Sequence, residues 1–390
     1  MTRTVHVVIF LSILSLIAGG AHYYAFSRLS HYLSLGSGQR KALAILSGVM
    51  LLSIIFGMLM IRSLPRQISA PIAWVVFTWM GILLLLTLTV FATDIIYMAT
   101  KAAEPNHLAD PARRMALQKM FGFAALGATG LLSGFAMWNA LRPVAVKPLS
   151  IALKRLPVAL NGLRIVQLTD LHLGPTIDGE WLKQVVAKTN ALNPDIIAIT
   201  GDLVDGSVQE LGGFASALAN LKSKYGVFFV TGNHEYYSGV DQWIAYLPTL
   251  GIRVLRNERV TVAINGSKID IAGIDDFSAH EFAGHGPDLP KALAGRDTDR
   301  PVILMAHQPR AITEAAALGV DLQLSGHTHG GQIWPWNYLV YLQQPYVKGL
   351  HRVPDSDTQI YVSDGTGYWG PPMRLGTSAE ITDITLLSAT

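Results

Sequence analysis

Four long apolar segments occupy the first 141 residues, and they restrict the fold more than any other feature of the chain. They run at about 5–26, 43–61, 71–90 and 120–141. Each is close to the ~20 residues that cross ~30 Å of hydrocarbon as a helix. Four such runs in succession, without amphipathic periodicity, fit poorly to helices buried in a soluble core. A cleaved signal peptide ending near Ala18-Gly-Gly-Ala21 would account for the first run only. Residues 1–142 are therefore expected to form a four-helix transmembrane region.

Charge follows the same division. Residues 1–143 hold 11 Lys and Arg and three acids (Asp94, Glu104 and Asp110), a net +8, whereas residues 144–390 hold 19 basic and 24 acidic residues, a net −5. Only 15% of the chain is charged, against about 25% in an ordinary soluble domain. The early basic residues sit in short spacers between apolar runs, a pattern that suits a lipid bilayer, and no nucleic-acid partner is expected. Asp94 is expected at the end of the third helix, near headgroups. The few polar groups in these runs argue against a solute path. The chain has no cysteine, which excludes disulfides, thiolate-bound zinc and a thiol nucleophile.

Residues 110–119, Asp-Pro-Ala-Arg-Arg-Met-Ala-Leu-Gln-Lys, precede a small-residue apolar run and resemble a twin-arginine export signal. That resemblance puts Arg113 and Arg114 in the cytoplasm. It implies an integral protein of the inner or plasma membrane with an extracytoplasmic catalytic half. Residues 143–159, with Pro143 and Pro148 and no clear periodicity, read as a linker.

From residue 163 the pattern changes to short apolar strands alternating with helical spacing. Strands are predicted at 163–169, 195–200, 227–231, 252–255, 261–264, 269–272, 302–306 and 322–325, with helices at 179–192, 211–221 and 242–250. Such alternation gives parallel βαβ units, whose ligands gather beyond the carboxyl ends of the strands. Five strand ends carry metal-ligand residue types there. They are Asp170-Leu-His172, Gly201-Asp202-Leu-Val-Asp205, Gly232-Asn233-His234-Glu235, His307, and Gly326-His327-Thr-His329. In extended backbone, residues i and i+2 face one side, so Asp170 with His172, and His327 with His329, can each aim two ligands at one cavity. Glycines 201, 232 and 326 allow sharp turns with unusual backbone angles before each ligand. The mixed Asp, Asn and His set suits divalent Mn, Fe, Zn or Ni.

Taken together these motifs resemble the signature of the calcineurin-like metallophosphoesterases, over residues 160–390. The segments Gly-His-Thr-His-Gly-Gly-Gln-Ile-Trp-Pro335 and Gly-Tyr-Trp-Gly-Pro-Pro-Met-Arg-Leu-Gly376 resemble the YkuE/YaeI-type branch of membrane-associated or exported bacterial enzymes. The resemblance implies an α/β domain, a two-sheet β-sandwich flanked by helices, with two divalent metal ions at the strand ends. It implies that Asp170, His172 and His329 hold one metal and that Asn233, His307 and His327 hold the other. Asp202 would bridge them, His234 would act beside the phosphate as acid or charge stabiliser, and Asp205 would lie behind the ligands. The implied activity is hydrolysis of a phosphomonoester or phosphodiester by metal-activated hydroxide.

Arg374 is read as a candidate phosphate contact, and Trp334, Trp336 and Trp369 as lining of an apolar groove. A membrane tether points to a lipid-linked or envelope phosphate ester as substrate. Two other readings remain open at this point. One is a pyrophosphatase acting on a nucleotide-linked lipid precursor; the other is a catalytically silent metal-binding scaffold.

Overall fold

The computed structural model describes residues 3–103 and 110–389. The chain divides into two compact units, one comprising residues 1–141 with 370–373 and the other residues 142–369 with 374–390.

Among the described residues, the first unit holds four helices, α1 (Arg3–Tyr32), α2 (Ser37–Ser63), α3 (Arg66–Ala103) and α4 (Pro111–Leu141). Among the described residues, three stretches are long and apolar enough to cross a membrane: Ser37–Ile61, Arg66–Ala103 and Pro111–Leu141. The expectation of four spans is thus corrected to three. The segment 5–26 is helical, but α1 is not among the three, and its C-terminal part carries His22, Tyr23, Tyr24, Arg28 and His31. The helix α4 begins nine residues before the expected 120. Asp110 caps it by accepting the Ala112 N–H at 2.9 Å, and Pro111 fits the first helical position, where no N–H is needed. Arg113 and Arg114 therefore lie in its first turn.

Asp94 is not a free headgroup carboxylate. It joins α3 to α1 by accepting Tyr24 Oη at 2.6 Å and a forked pair from Arg28, Nε at 2.7 Å and Nη2 at 2.5 Å, together with the Tyr32 hydroxyl. Bidentate Arg–carboxylate geometry fixes direction as well as distance. The two oxygens are filled by groups of the same bundle.

The second unit contains two six-stranded sheets. The first has the order β1 (Ala145–Leu153), β12 (Glu380–Ser388), β2 (Leu163–Leu168), β3 (Ile196–Thr200), β4 (Val227–Val230), β5 (Ile252–Val254). The second has the order β10 (Gly349–Arg352), β11 (Gln359–Val362), β9 (Leu322–Ser325), β8 (Val302–Met305), β7 (Ser267–Gly273), β6 (Glu258–Ile264). Both sheets are mixed: β2 to β5 run parallel, as do β7, β8, β9 and β11, while β12 is antiparallel to β2 and β6 to β7.

The sheets face each other across one apolar core. Ile165, Ile196, Ala198, Phe228, Val230 and Ile384 of the first meet Ile269, Ile271, Ile303, Met305, Leu322, Leu324 and Tyr361 of the second. Alternation with period two explains the choice of residues within each strand. The outer face of the second sheet is covered as well. Ala272, Val302 and Leu304 pack with Leu289, Leu293 and Ile312 from short helices. Full burial along β3, β4 and β8 is why these three read as unbroken apolar runs.

Residues 143–159 are not a linker. Most of them form β1, which pairs in parallel with β12 over nine residues. Pro148, which argued against a strand, is tolerated because β1 lies at the sheet edge. The strands β10, β11 and β12 were also absent from the sequence reading.

Candidate metal centre

The sandwich brings two sets of strand ends to one place. Asp170 lies two residues beyond β2, Asp202 two beyond β3, and Asn233 three beyond β4. From the second sheet, His307 lies two beyond β8 and His327 two beyond β9. Each set sits on parallel strands, so their carboxyl ends point the same way.

Three groups of ligand atoms gather there, each within 4.8 Å: Asp170, His172 and His329; Asp202, His307 and His327; and His172, Asp205 and His234. In the first, His172 Nε2 is 3.1 Å from His329 Nε2, which is 3.4 Å from Asp170 Oδ1. In the second, His307 Nε2 is 3.1 Å from Asp202 Oδ2. That same oxygen lies 3.8 Å from His172 Nε2 and 4.0 Å from His234 Nε2. One buried carboxylate oxygen therefore faces all three groups.

Proton positions follow from what the partners can accept. His172 Nδ1 lies 3.0 Å from Asp205 Oδ1, and His307 Nδ1 lies 2.8 Å from the Thr200 carbonyl. Both partners only accept, so each ring carries a proton on Nδ1 and turns Nε2 to the cavity. One buried atom that lacks a hydrogen-bond partner also belongs to this cluster, Asn233 Oδ1, and His307 Nε2 faces the Asp202 carboxylate. Buried polar atoms are rarely orphaned, and a cation is the partner these donors suit. The residues present fit a divalent metal.

The electrostatics agree. Burial opposes charge on His234, but Asp202 and Asp205 outweigh it and push its pKa up to about 9. His307, buried against Asp202, is driven well above the usual histidine range. Burial and the neighbouring charge of His307 push His327 down to about 3, so that ring stays a neutral lone-pair donor. Burial and His172 similarly hold His329 well below its ordinary value. Asp202 stays ionised because His307 and His234 overcome its burial. The carboxylates of this site draw positive charge towards them.

The backbone is shaped to match. Asp170, His172, Asp202, His327 and His329 all have left-handed φ, between 49° and 69°. For residues other than glycine this costs on the order of 1–3 kcal/mol each and is typical of functional sites. Left-handed angles replace the extended alternation expected of these pairs, yet Asp170 and His172 share one group while His327 and His329 fall in different ones. Of the three glycines, only Gly201 has left-handed φ, at 87°. Gly232 and Gly326 are needed for space: a Cβ would lie 2.2 Å from Asp202 Oδ1 and 2.1 Å from Asp170 Oδ2.

Arg374 does not reach an open site. It is fully buried, and its guanidinium donates to the carbonyls of Gly365 and Gly367 and to Thr377 Oγ1, with Nη2 3.4 Å from His329 Nδ1. The expected phosphate contact is replaced by support for the loop beside Asp170 and His329. Two further carboxylates support the ligands. Asp205 Oδ1 is shared by His172 at 3.0 Å and His234 Nδ1 at 2.6 Å. Glu235 accepts the N–H groups of Asp202, Leu203 and Gly232 at 3.0, 2.8 and 2.6 Å, tying the ends of β3 and β4 together. Its position three residues after Gly232 is the spacing of a capping box and could have shown this.

Two mixed sheets with a buried Asp, Asn and His cluster at their strand ends make up a candidate metal-binding domain. Residues 163–331 match the calcineurin-like phosphoesterase family. A Bos taurus transmembrane protein with metallophosphoesterase domain is 42% identical over 75% of this chain and 67% of its own length. The corresponding Danio rerio protein is 42% identical over 68% of this chain and 62% of its own length. The Bacillus subtilis metallophosphoesterase YkuE is 34% identical over 71% of this chain and 98% of its own length. The chain therefore belongs to the calcineurin-like metallophosphoesterases, and it spans about two thirds of the length of the two vertebrate relatives.

The substitution Gly232→Ala should displace Asp202, because the added Cβ would lie 2.2 Å from its Oδ1 and 2.5 Å from its backbone N. Misplacement of about 1 Å costs on the order of 10²-fold in rate, so turnover of the folded variant should fall by about that factor. Gly213→Ala, which meets nothing within 4 Å, is the control and should match the unaltered chain. Equal turnover of the two variants would contradict this account of the site.

Proposed function

We propose that the chain is a membrane-anchored phosphoesterase that holds two divalent cations, Mn, Fe, Zn or Ni, and hydrolyses a phosphomonoester or phosphodiester without a covalent enzyme intermediate. The observation that carries this reading is the Asp202 Oδ2 atom, faced by His307 on one side and His172 and His234 on the other. Asp170, His172 and His329 would ligate one cation, Asn233, His307 and His327 the other, and Asp202 both. Two such cations supply Lewis acidity to phosphoryl oxygens and make water a nucleophile near neutral pH.

The remaining steps belong to side chains of the protein. Asp205 accepts Nδ1–H from His234 and fixes the plane of that ring. His234 then presents Nε2 to the substrate side and donates its proton to the leaving oxygen. A positioned general acid contributes about 10²–10⁴-fold. Glu235 and Arg374 keep the ligand loops in register, so little reorganisation accompanies the reaction.

The substrate we favour is a lipid-linked or envelope phosphate ester, because the site is carried on a chain with three candidate spans. The catalytic unit is proposed to lie outside the cytoplasm. Arg113 and Arg114 in the first turn of α4 favour a cytoplasmic start for that helix, and its far end leads into residue 142. An alkaline phosphatase fusion after residue 150 should be active and a green fluorescent protein fusion dark; the reverse pattern would refute this orientation.

His234→Ala should lower kcat on p-nitrophenyl phosphate or its bis ester by about 10²–10⁴-fold and leave the metal content unchanged. Asp202→Ala should lose both metal and turnover. Hydrolysis in ¹⁸O-labelled water at a chiral phosphorus should proceed with inversion. Retention, or full activity in either variant, would overturn the mechanism.

A further inference from the structure

The segment that follows the His327-x-His329 loop is unlike the rest of the second unit's surface. Between Trp334 and Leu342, six large side chains are exposed: Trp334, Trp336, Tyr338, Leu339, Tyr341 and Leu342, the last 81% accessible. Single exposed apolar residues are ordinary, but a contiguous group of this kind marks an interaction surface. The short helix Asn337–Val340 inside it has no buried residue.

The segment is joined firmly to the site. Gln332 Nε2 donates to the Trp369 carbonyl at 2.9 Å, and Trp369 N–H returns a bond to Gln332 Oε1 at 3.0 Å. Trp334 N–H donates to the Leu375 carbonyl at 2.8 Å. The exposed Trp369 ring lies 5.7 Å from the His234 ring, with Tyr237 5.6 Å from the same imidazole. Aromatic side chains thus run from the proposed acid to the edge of the patch.

We propose that residues 334–342, together with Trp369, dock the catalytic unit onto the headgroup region of a lipid bilayer. Three observations select this occupant. Trp and Tyr, each with an apolar body and a polar edge, are the residues that favour the membrane–water interface. The chain has no Asp or Glu from 333 to 354, while Lys348 lies in that stretch and Arg352 is paired with Asp357, so no carboxylate of the patch itself opposes anionic headgroups. The same chain carries three candidate spans, so a bilayer is present at high effective concentration. Docking would present a membrane-held phosphate ester to His234; that consequence, though not the docking itself, rests on the phosphoesterase reading.

Because the chain has no cysteine, one introduced thiol can be labelled uniquely. Full-length Leu342→Cys and Tyr341→Cys would be nitroxide-labelled and reconstituted in vesicles of phosphatidylethanolamine and phosphatidylglycerol. Val158→Cys serves as the reference, an equally exposed apolar site elsewhere on the unit. Collision rates with oxygen, which concentrates in lipid, and with a water-soluble nickel chelate would be compared. At 341 and 342 the oxygen-to-nickel ratio should be severalfold higher than at 158. A ratio equal to that at 158 in both variants would overturn the proposal. So would shielding from both reagents, which would mean that protein covers the patch. Collision rates do not depend on catalysis, so failure of docking and failure of the phosphoesterase reading are told apart.

Discussion

A single carboxylate, Asp202, holds the arrangement together. It is buried at the seam between two sheets, where an isolated charge would be costly. One oxygen accepts the N–H of His234 at 2.9 Å, and the other faces His172, His234 and His307. Strand order, left-handed ligand angles and the bare Cα of Gly232 all serve to bring positive charge to that atom. The sandwich core keeps those positions fixed, since the ligands follow strands that are buried on both faces.

A second layer then controls the first. Asp205 orients two imidazoles, Thr200 one, and Glu235 clamps three backbone N–H groups. Arg374 sits beneath His329 and the Gly365–Gly367 turn. Such outer partners set ring tautomers and ligand basicity. They also explain why a site with five left-handed residues can persist, because each is constrained from several directions.

Much of the ligand set was legible because chemistry and strand pattern coincide. Asp170, Asp202, His307 and His327 each fall two residues after an apolar strand, and the parallel arrangement makes those ends converge. What escaped the sequence is non-local. Pairing of β1 with β12 joins residues more than 200 positions apart, and Pro148 disguised β1 as a linker. Arg374 read as a candidate phosphate contact because nothing in Pro-Pro-Met-Arg signals full burial. The left-handed angles at five of these positions are a departure that alternation cannot anticipate. In the first unit, apolar length was visible, but the Asp94 partnership with Tyr24, Arg28 and Tyr32 required the helices to be placed side by side.

The claim on which everything else rests is that Asp202 joins two cations in one centre. Low-temperature electron paramagnetic resonance of the full-length protein loaded with Mn(II) addresses it directly. Ions about 3.5–4 Å apart should give the broad, multi-line spectrum of an exchange-coupled pair. An isolated six-line Mn(II) signal at saturating metal would contradict the account.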